Sequence, residues 1–277
     1  MFRANGTLPG TVHATVLGPP DGPRAVFVHG SLSWGDDPVS GFAAQRPLAD
    51  RFRLVLVDRR GHGGSPDAGP TFPSDHLADA DDIAELLDDG AHLVGHSYGA
   101  VGAMVAAARR AEAVRSLTLI EPGCYQAAAD DPQVAAALRA NRDAYADLPR
   151  LTPEQALRAA TDSVGLPPME PTETRLRAAA SALNERVCWE AGIPVAALAA
   201  ASFPKLVVSG TWENAPDIYR ERGGGPLLAC ARVTAERIGA RHVSIPGAAH
   251  YPHVEAPDTL NRVLAEFWDG PQATPPR

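Results

Sequence analysis

Short apolar runs recur along the chain, separated by longer stretches with helical spacing. The runs are Ala25-Val26-Phe27-Val28, Leu54-Val55-Leu56-Val57, Leu93-Val94, Leu117-Thr118-Leu119-Ile120, Leu206-Val207-Val208 and His242-Val243-Ser244-Ile245. Continuous apolar runs of this length read as strands buried on both faces. An earlier stretch, Thr11 to Leu17, alternates and predicts a half-exposed strand. Helical patterns fill the intervals, among them Asp75 to about Asp88 with Ser74 as its cap, Leu227 to Ile238, and Pro257 to Phe267. Along the first of these, Asp79, Asp81, Asp82 and Glu85 read as a solvated acidic face. Strands alternating with helices predict an α/β chain with a doubly wound, mostly parallel sheet. Ligand chemistry in such sheets gathers beyond the carboxyl ends of the strands.

One region breaks the alternation. Between Gly123 and Pro204 there is no strand-like run, only Ala-rich helical segments interrupted at Pro149, Pro153, Pro167-Pro168, Pro171 and Pro194. An insertion this long usually carries function. It predicts a helical cap over residues 123–203, roofing a core built from residues 1–122 and 204–277. Gly223-Gly224-Gly225 predicts a mobile loop, and Pro271 to Arg277 a frayed tail.

The strand ends carry the candidate chemistry. Gly95-His96-Ser97-Tyr98-Gly99 reads G-x-S-x-G between an apolar strand and the helix-prone Ala100 to Ala108. In that context the serine sits on a sharp strand-to-helix turn, and the glycines keep Cβ atoms out of a crowded neighbourhood. The N–H groups opening the helix favour negative charge developing there. Other strand ends hold His29-Gly30-Ser31, the turn Asp58-Arg59-Arg60-Gly61-His62-Gly63-Gly64-Ser65, Glu121-Pro122-Gly123, and Gly247-Ala248-Ala249-His250.

Composition narrows the classes. The chain of 277 residues carries a formal net charge of −8, which argues against nucleic acid or an anionic membrane as partner. No apolar run is long enough to span a bilayer, and Met1 to Gly6 lacks the apolar core of a signal peptide. Cys124, Cys188 and Cys230 are odd in number and show no C-x-x-C pairing, so thiols in a reducing cytosol are expected, with neither disulfide nor metal site.

Taken together and in this order, these residues resemble the α/β-hydrolase superfamily from Ala25 to Phe267. The resemblance implies an α/β-hydrolase fold with an inserted helical cap, no cofactor, and a Ser-His-acid triad. Ser97 would be the nucleophile. His250 would be its base, with His253 the rival three residues on. The oxyanion hole would comprise the backbone N–H groups of Tyr98, after the nucleophile, and of Ser31, after the first buried strand. The acid is a choice. Gly210-Thr211-Trp212-Glu213 fits the commoner spacing, with Asp217 a third option, whereas Glu121 directly ends the strand beside the nucleophile strand. A buried carboxylate there is costly without a partner, and His250 would supply one, so the choice falls on Glu121. Some members acting on lactones and esters place a Glu there, and the segment Trp189 to Gly210 resembles that subgroup.

Trp34, Tyr125, Trp189 and Trp212 are candidates for the pocket lining. The expected activity is hydrolysis of a small carboxylic ester or lactone, with a homodimer left open. A carbon–carbon bond hydrolase or acyltransferase on the same scaffold is the alternative. A non-catalytic binding protein would need a damaged triad, and none is visible.

Overall fold

A computed structural model describes residues 4–7, 12–67, 75–146, 151–163 and 168–270. Ser74, Pro149, Pro167 and the tail 271–277 lie outside the described residues.

Among the described residues, eight strands form one sheet: β1 (Ala4–Thr7), β2 (His13–Leu17), β3 (Arg24–Val28), β4 (Arg53–Val57), β5 (Ala91–His96), β6 (Val114–Ile120), β7 (Lys205–Gly210) and β8 (Arg241–Ile245). Their order across the sheet is β1-β2-β4-β3-β5-β6-β7-β8. The two edge pairings, β1 with β2 and β2 with β4, are antiparallel, and the rest are parallel. The apolar runs lie at the centre, where β5 and β7 are buried along their whole length. This is the doubly wound, mostly parallel sheet predicted from the alternation. β1 was not predicted, because Ala4-Asn5-Gly6-Thr7 carries turn chemistry rather than a strand pattern. Its pairing with β2 decides its conformation.

Helices cover both faces. They are α1 (His76–Leu86), α2 (Tyr98–Arg109), α3 (Pro132–Ala146), α4 (Pro153–Ser163), α5 (Glu173–Ala182), α6 (Val195–Ala200), α7 (Asp217–Tyr219), α8 (Gly225–Ile238), α9 (Pro252–Glu255) and α10 (Pro257–Asp269). α2 and α8 pack in the larger core beneath β5, β6 and β7, while α10 covers the other face with Leu260, Leu264 and Trp268. The cap of α1 is Asp75, whose side chain accepts from the N–H groups of Leu77 and Ala78. The acidic face expected on α1 is half wrong. Asp79 and Asp82 are buried, pairing with Arg59 and Arg60 at 2.7 Å each, while Asp81 and Glu85 face solvent.

Gly223-Gly224-Gly225 is not a loop. Arg220–Gly224 is a wide helical turn running directly into α8. A Cβ on Gly224 would lie 2.7 Å from the Trp212 ring, so the glycine is there for close approach.

Residues 123–203 contain helices and short turns and, among the described residues, no strand. They divide between two places. α3 and α6 lie beside the sheet, α3 against α8 and α6 against both α8 and α2. α4 and α5 pack on each other and over Leu32 in the loop after β3. α5 is fastened there by buried Arg175, which donates to the Leu32 carbonyl at 3.1 Å and pairs with Asp37 at 2.8 Å. Ser181 donates to the Gly61 carbonyl at 2.8 Å.

Candidate active site

Five parallel strands deliver residues to one carboxyl edge, and the backbone is forced into the left-handed region at four of their ends. Leu32, Ser97, Glu121 and Trp212 have φ of 61°, 51°, 46° and 58°. Such values are uncommon outside glycine and cluster at functional sites. Ser97 combines φ 51° with ψ −115° and immediately precedes α2. A Cβ on Gly95 would lie 2.6 Å from Cα of Ala100, and one on Gly99 would overlap the carbonyl oxygens of His29 and Val28. The two glycines of G-x-S-x-G are therefore required by contact with neighbouring backbone.

Ser97 is partly accessible. Its Oγ lies 3.1 Å from Nε2 of His250. His250 Nδ1 lies 3.5 Å from Oε2 of Glu121, within ion-pair reach but short of good hydrogen-bond alignment. Both atoms are buried and otherwise unsatisfied, and facing contacts of this kind often tighten only when substrate binds. Glu121 is wholly buried. Its other oxygen accepts from the Gly210 N–H at 2.8 Å and Trp212 Nε1 at 3.4 Å. A carboxylate opposite Nδ1 favours the tautomer protonated there, leaving Nε2 as an acceptor for the Ser97 hydroxyl. Glu213 and Asp217 are exposed, and Asp217 pairs with Arg220. Of the three acids weighed from sequence, the fold brings Glu121 to His250 and leaves the other two on the surface.

His253 is elsewhere. Its Nε2 donates to the Ser40 carbonyl at 3.2 Å, and burial lowers its pKa to about 4. His96 stands beside the serine and donates from Nε2 to the backbone carbonyl of His250 at 2.8 Å. Burial, then His253 and His250, hold its pKa well below the usual value, so it stays neutral.

The loop after β3 closes on the serine. A Cβ on Gly30 would lie 3.1 Å from Cβ of Ser97 and 2.9 Å from Nδ1 of His96. Among the described residues, neither the Ser31 N–H nor the Tyr98 N–H donates a hydrogen bond. Both are free to meet a ligand oxygen.

The four aromatic candidates are dispersed. Trp212 is sealed in the core, with its ring centroid 6.2 Å from that of His250, and it serves Glu121. Trp34 lies under Arg175 and lines a separate cavity of about 550 Å³ with Val39, Pro168 and Met169. Tyr125 and Trp189 are buried in the larger core.

Three residues near the serine were not singled out from sequence. Cys188 Sγ would lie 3.1 Å from a Cβ on Gly123, and burial, then Glu185, pushes its thiol up to about 12, so it is a neutral wall. Arg59 and Glu185 form a buried ion pair beneath the Tyr98 ring. Arg59 is the second residue after β4, behind Asp58, at the same carboxyl edge that drew attention to Glu121.

Among the described residues no group of three or more His, Cys, Asp or Glu could hold a metal ion, and no helix is long and apolar enough to cross a membrane.

A model of the alpha/beta hydrolase family matches residues 25–263. The chain is 27% identical over 268 residues to the 2-(acetamidomethylene)succinate hydrolase of Mesorhizobium japonicum, covering 90% of this chain and 88% of that protein. It is 34% identical over 115 residues to the pimeloyl-[acyl-carrier protein] methyl ester esterase of Aeromonas hydrophila, covering 41% of this chain and 44% of the esterase. Among solved structures, a mutant N-acyl homoserine lactonase complexed with N-hexanoyl homoserine superposes with a TM-score of 0.69 at 20% identity, covering 100% of this chain and 99% of the lactonase.

Proposed function

The chain belongs to the alpha/beta hydrolase family, and from that premise we propose that it is a serine hydrolase cleaving a small carboxylic ester or lactone through an acyl-enzyme. The observation that carries the reading is the relay from Ser97 Oγ to His250 Nε2, 3.1 Å apart, and from His250 Nδ1 to Glu121. A serine hydroxyl needs an adjacent base to become a nucleophile, and the base needs a third group to orient it.

Ser97 Oγ attacks the substrate carbonyl carbon while its proton passes to His250 Nε2. The negative charge moves to the carbonyl oxygen, where the N–H groups of Ser31 and Tyr98 receive it. Glu121 stabilises the imidazolium and stays ionised. The carbon–oxygen bond to the leaving group breaks, and the departing alkoxide takes the proton from His250. Water then attacks the acyl-enzyme with His250 again as base, releasing the acid and restoring Ser97. A lactone follows the same course with its alcohol still attached to the acid. No step calls for a metal or an organic cofactor.

An ester or lactone substrate agrees with the esterase and lactonase among the similar proteins. Within residues 123–203, α4, α5 and the segment around Glu185 and Cys188 act as the cap in this reading, while α3 and α6 pack beside the sheet.

The test pairs turnover with labelling. Ser97→Ala should abolish hydrolysis of p-nitrophenyl esters and leave the circular dichroism melt unchanged. A fluorophosphonate should add one adduct to the wild type and none to Ser97→Ala or His250→Ala. Hydrolysis at the wild-type rate by Ser97→Ala would sink the mechanism.

A further inference from the structure

We propose that Arg59 is a positioning residue for the oxyanion hole, fixing the Gly30–Ser31 peptide so that the Ser31 N–H faces the substrate carbonyl oxygen, and that Glu185 locks Arg59 in place. The inference rests on the serine-hydrolase reading and adds a second layer to it.

The argument starts from the peptide plane. In a trans peptide the C=O and N–H point in opposite directions, so whatever grips the Gly30 carbonyl aims the Ser31 N–H. Two donors grip it. The first is His29, whose Nδ1 lies 2.7 Å from the Gly30 oxygen. The Arg59 backbone N–H donates to Nε2 of the same ring at 3.0 Å. Nε2 is therefore the bare nitrogen, and the proton sits on Nδ1, pointing at the Gly30 oxygen. The second donor is Arg59 Nη1, 3.4 Å from that oxygen. Residue 59 thus sets the peptide twice, through its backbone and through its guanidinium.

The guanidinium is itself fixed on every side. Nε donates to Asp79 at 2.7 Å, Nη2 donates to Glu185, and the guanidinium carbon lies 4.2 Å from the centroid of the Tyr98 ring. Tyr98 supplies the other oxyanion N–H, so one cation braces both donors. Arg59, Asp79 and Glu185 side chains are all at most 3% exposed. A bidentate, planar donor suits this task, and a lysine cannot reach all four partners. Glu185 comes from the chain just after α5, so the helical segment over the site takes part in aiming the donors.

The test compares Arg59→Lys with a neutral triple variant, Arg59→Gln/Asp79→Asn/Glu185→Gln, which strands no buried charge. For each, kcat and KM are measured on a p-nitrophenyl ester, together with the inhibition constant of a trifluoromethyl ketone, whose carbonyl becomes an oxyanion when Ser97 adds to it. Removing one oxyanion donor costs about 10²–10³ in kcat elsewhere, and a misaimed donor should lose roughly tenfold to a hundredfold. The ketone should weaken by the same factor, with KM within about twofold of wild type. A merely structural arginine would lower Tm without linking kcat to ketone affinity. Crystal structures of the variants should show the Gly30–Ser31 peptide rotated, a readout that stands even if the wild type turns over no ester. An unrotated peptide, a change confined to KM, or failure of every variant to fold would overturn the proposal.

Discussion

Replacing Glu121 by glutamine tests the site at its most revealing point, because the hydrogen bonds dictate which way the new amide must face. Oε1 of Glu121 accepts from the Gly210 N–H and from Trp212 Nε1. Both are donors, so the glutamine oxygen must take that position and its NH2 must face His250. An amide donor opposite Nδ1 selects the tautomer with a bare Nδ1 and a protonated Nε2. Nε2 then donates toward Ser97, 3.1 Å away, and cannot accept its proton. The comparable change in a serine protease costs ~10⁴ in kcat, equivalent to about 5 kcal/mol of transition-state stabilisation. We expect a loss of that order in kcat for Glu121→Gln, with little change in KM. Glutamine is nearly isosteric, so folding should survive, and a thermal melt checks this. The same substitution in a His250→Ala background should cost less than about threefold, since groups that act as a unit are not additive. Glu213→Gln and Asp217→Asn alter exposed side chains and should leave kcat within about twofold. If Glu121→Gln loses less than tenfold while Glu213→Gln is nearly inactive, the relay through Glu121 is refuted.

The remaining predictions probe the support around the site. Burial, then neighbouring Asp79, pushes the Glu185 carboxyl up to about 7. The folded state therefore holds its proton more tightly than the unfolded chain. Its contribution is fully present below the ordinary carboxylate range and is lost as pH rises to about 7, by on the order of 3 kcal/mol. The difference between wild-type and Glu185→Gln urea midpoints should rise in the variant's favour across pH 4.5–7 and flatten above. A flat difference curve would contradict the assigned burial. Gly99→Ala would drive a Cβ into the carbonyl oxygens of His29 and Val28. Loss of soluble protein or a fall of more than about 10 °C in Tm is expected, and an unperturbed melt would show that the elbow can relax. Breaking the Arg175–Asp37 pair with Arg175→Met leaves a buried, unpaired carboxylate. That should destabilise by about 3–5 kcal/mol, read from chemical denaturation, and a cost below about 1 kcal/mol would mean that α5 is held by its apolar contacts.

The apolar runs determined the central strands by themselves, because a strand buried on both faces must be apolar throughout and short β-branched runs bounded by turn residues favour strand over helix. The strand–serine–helix context around Ser97 was equally legible, since the glycines that the turn needs are adjacent in sequence. Proximity between distant segments was not. Glu121 and Glu213 lie at neighbouring strand ends, and only the left-handed turn at Glu121 and the donors of Gly210 and Trp212 decide which one reaches His250. Asp79 and Asp82 read as a solvated face because the arginines that neutralise them lie about twenty residues earlier, on another turn. The Gly223 to Gly225 run read as a loop because the side chains that crowd it, Trp212 against Gly224 and Gln133 against Gly225, are close only in space. The aromatics could be counted from the sequence, but whether each one lines a cavity or braces a carboxylate depends on packing across the sheet. Local backbone and periodicity are written in neighbouring residues. The partner of a buried charge is set by strand order and loop path, and these are fixed only when the chain closes on itself.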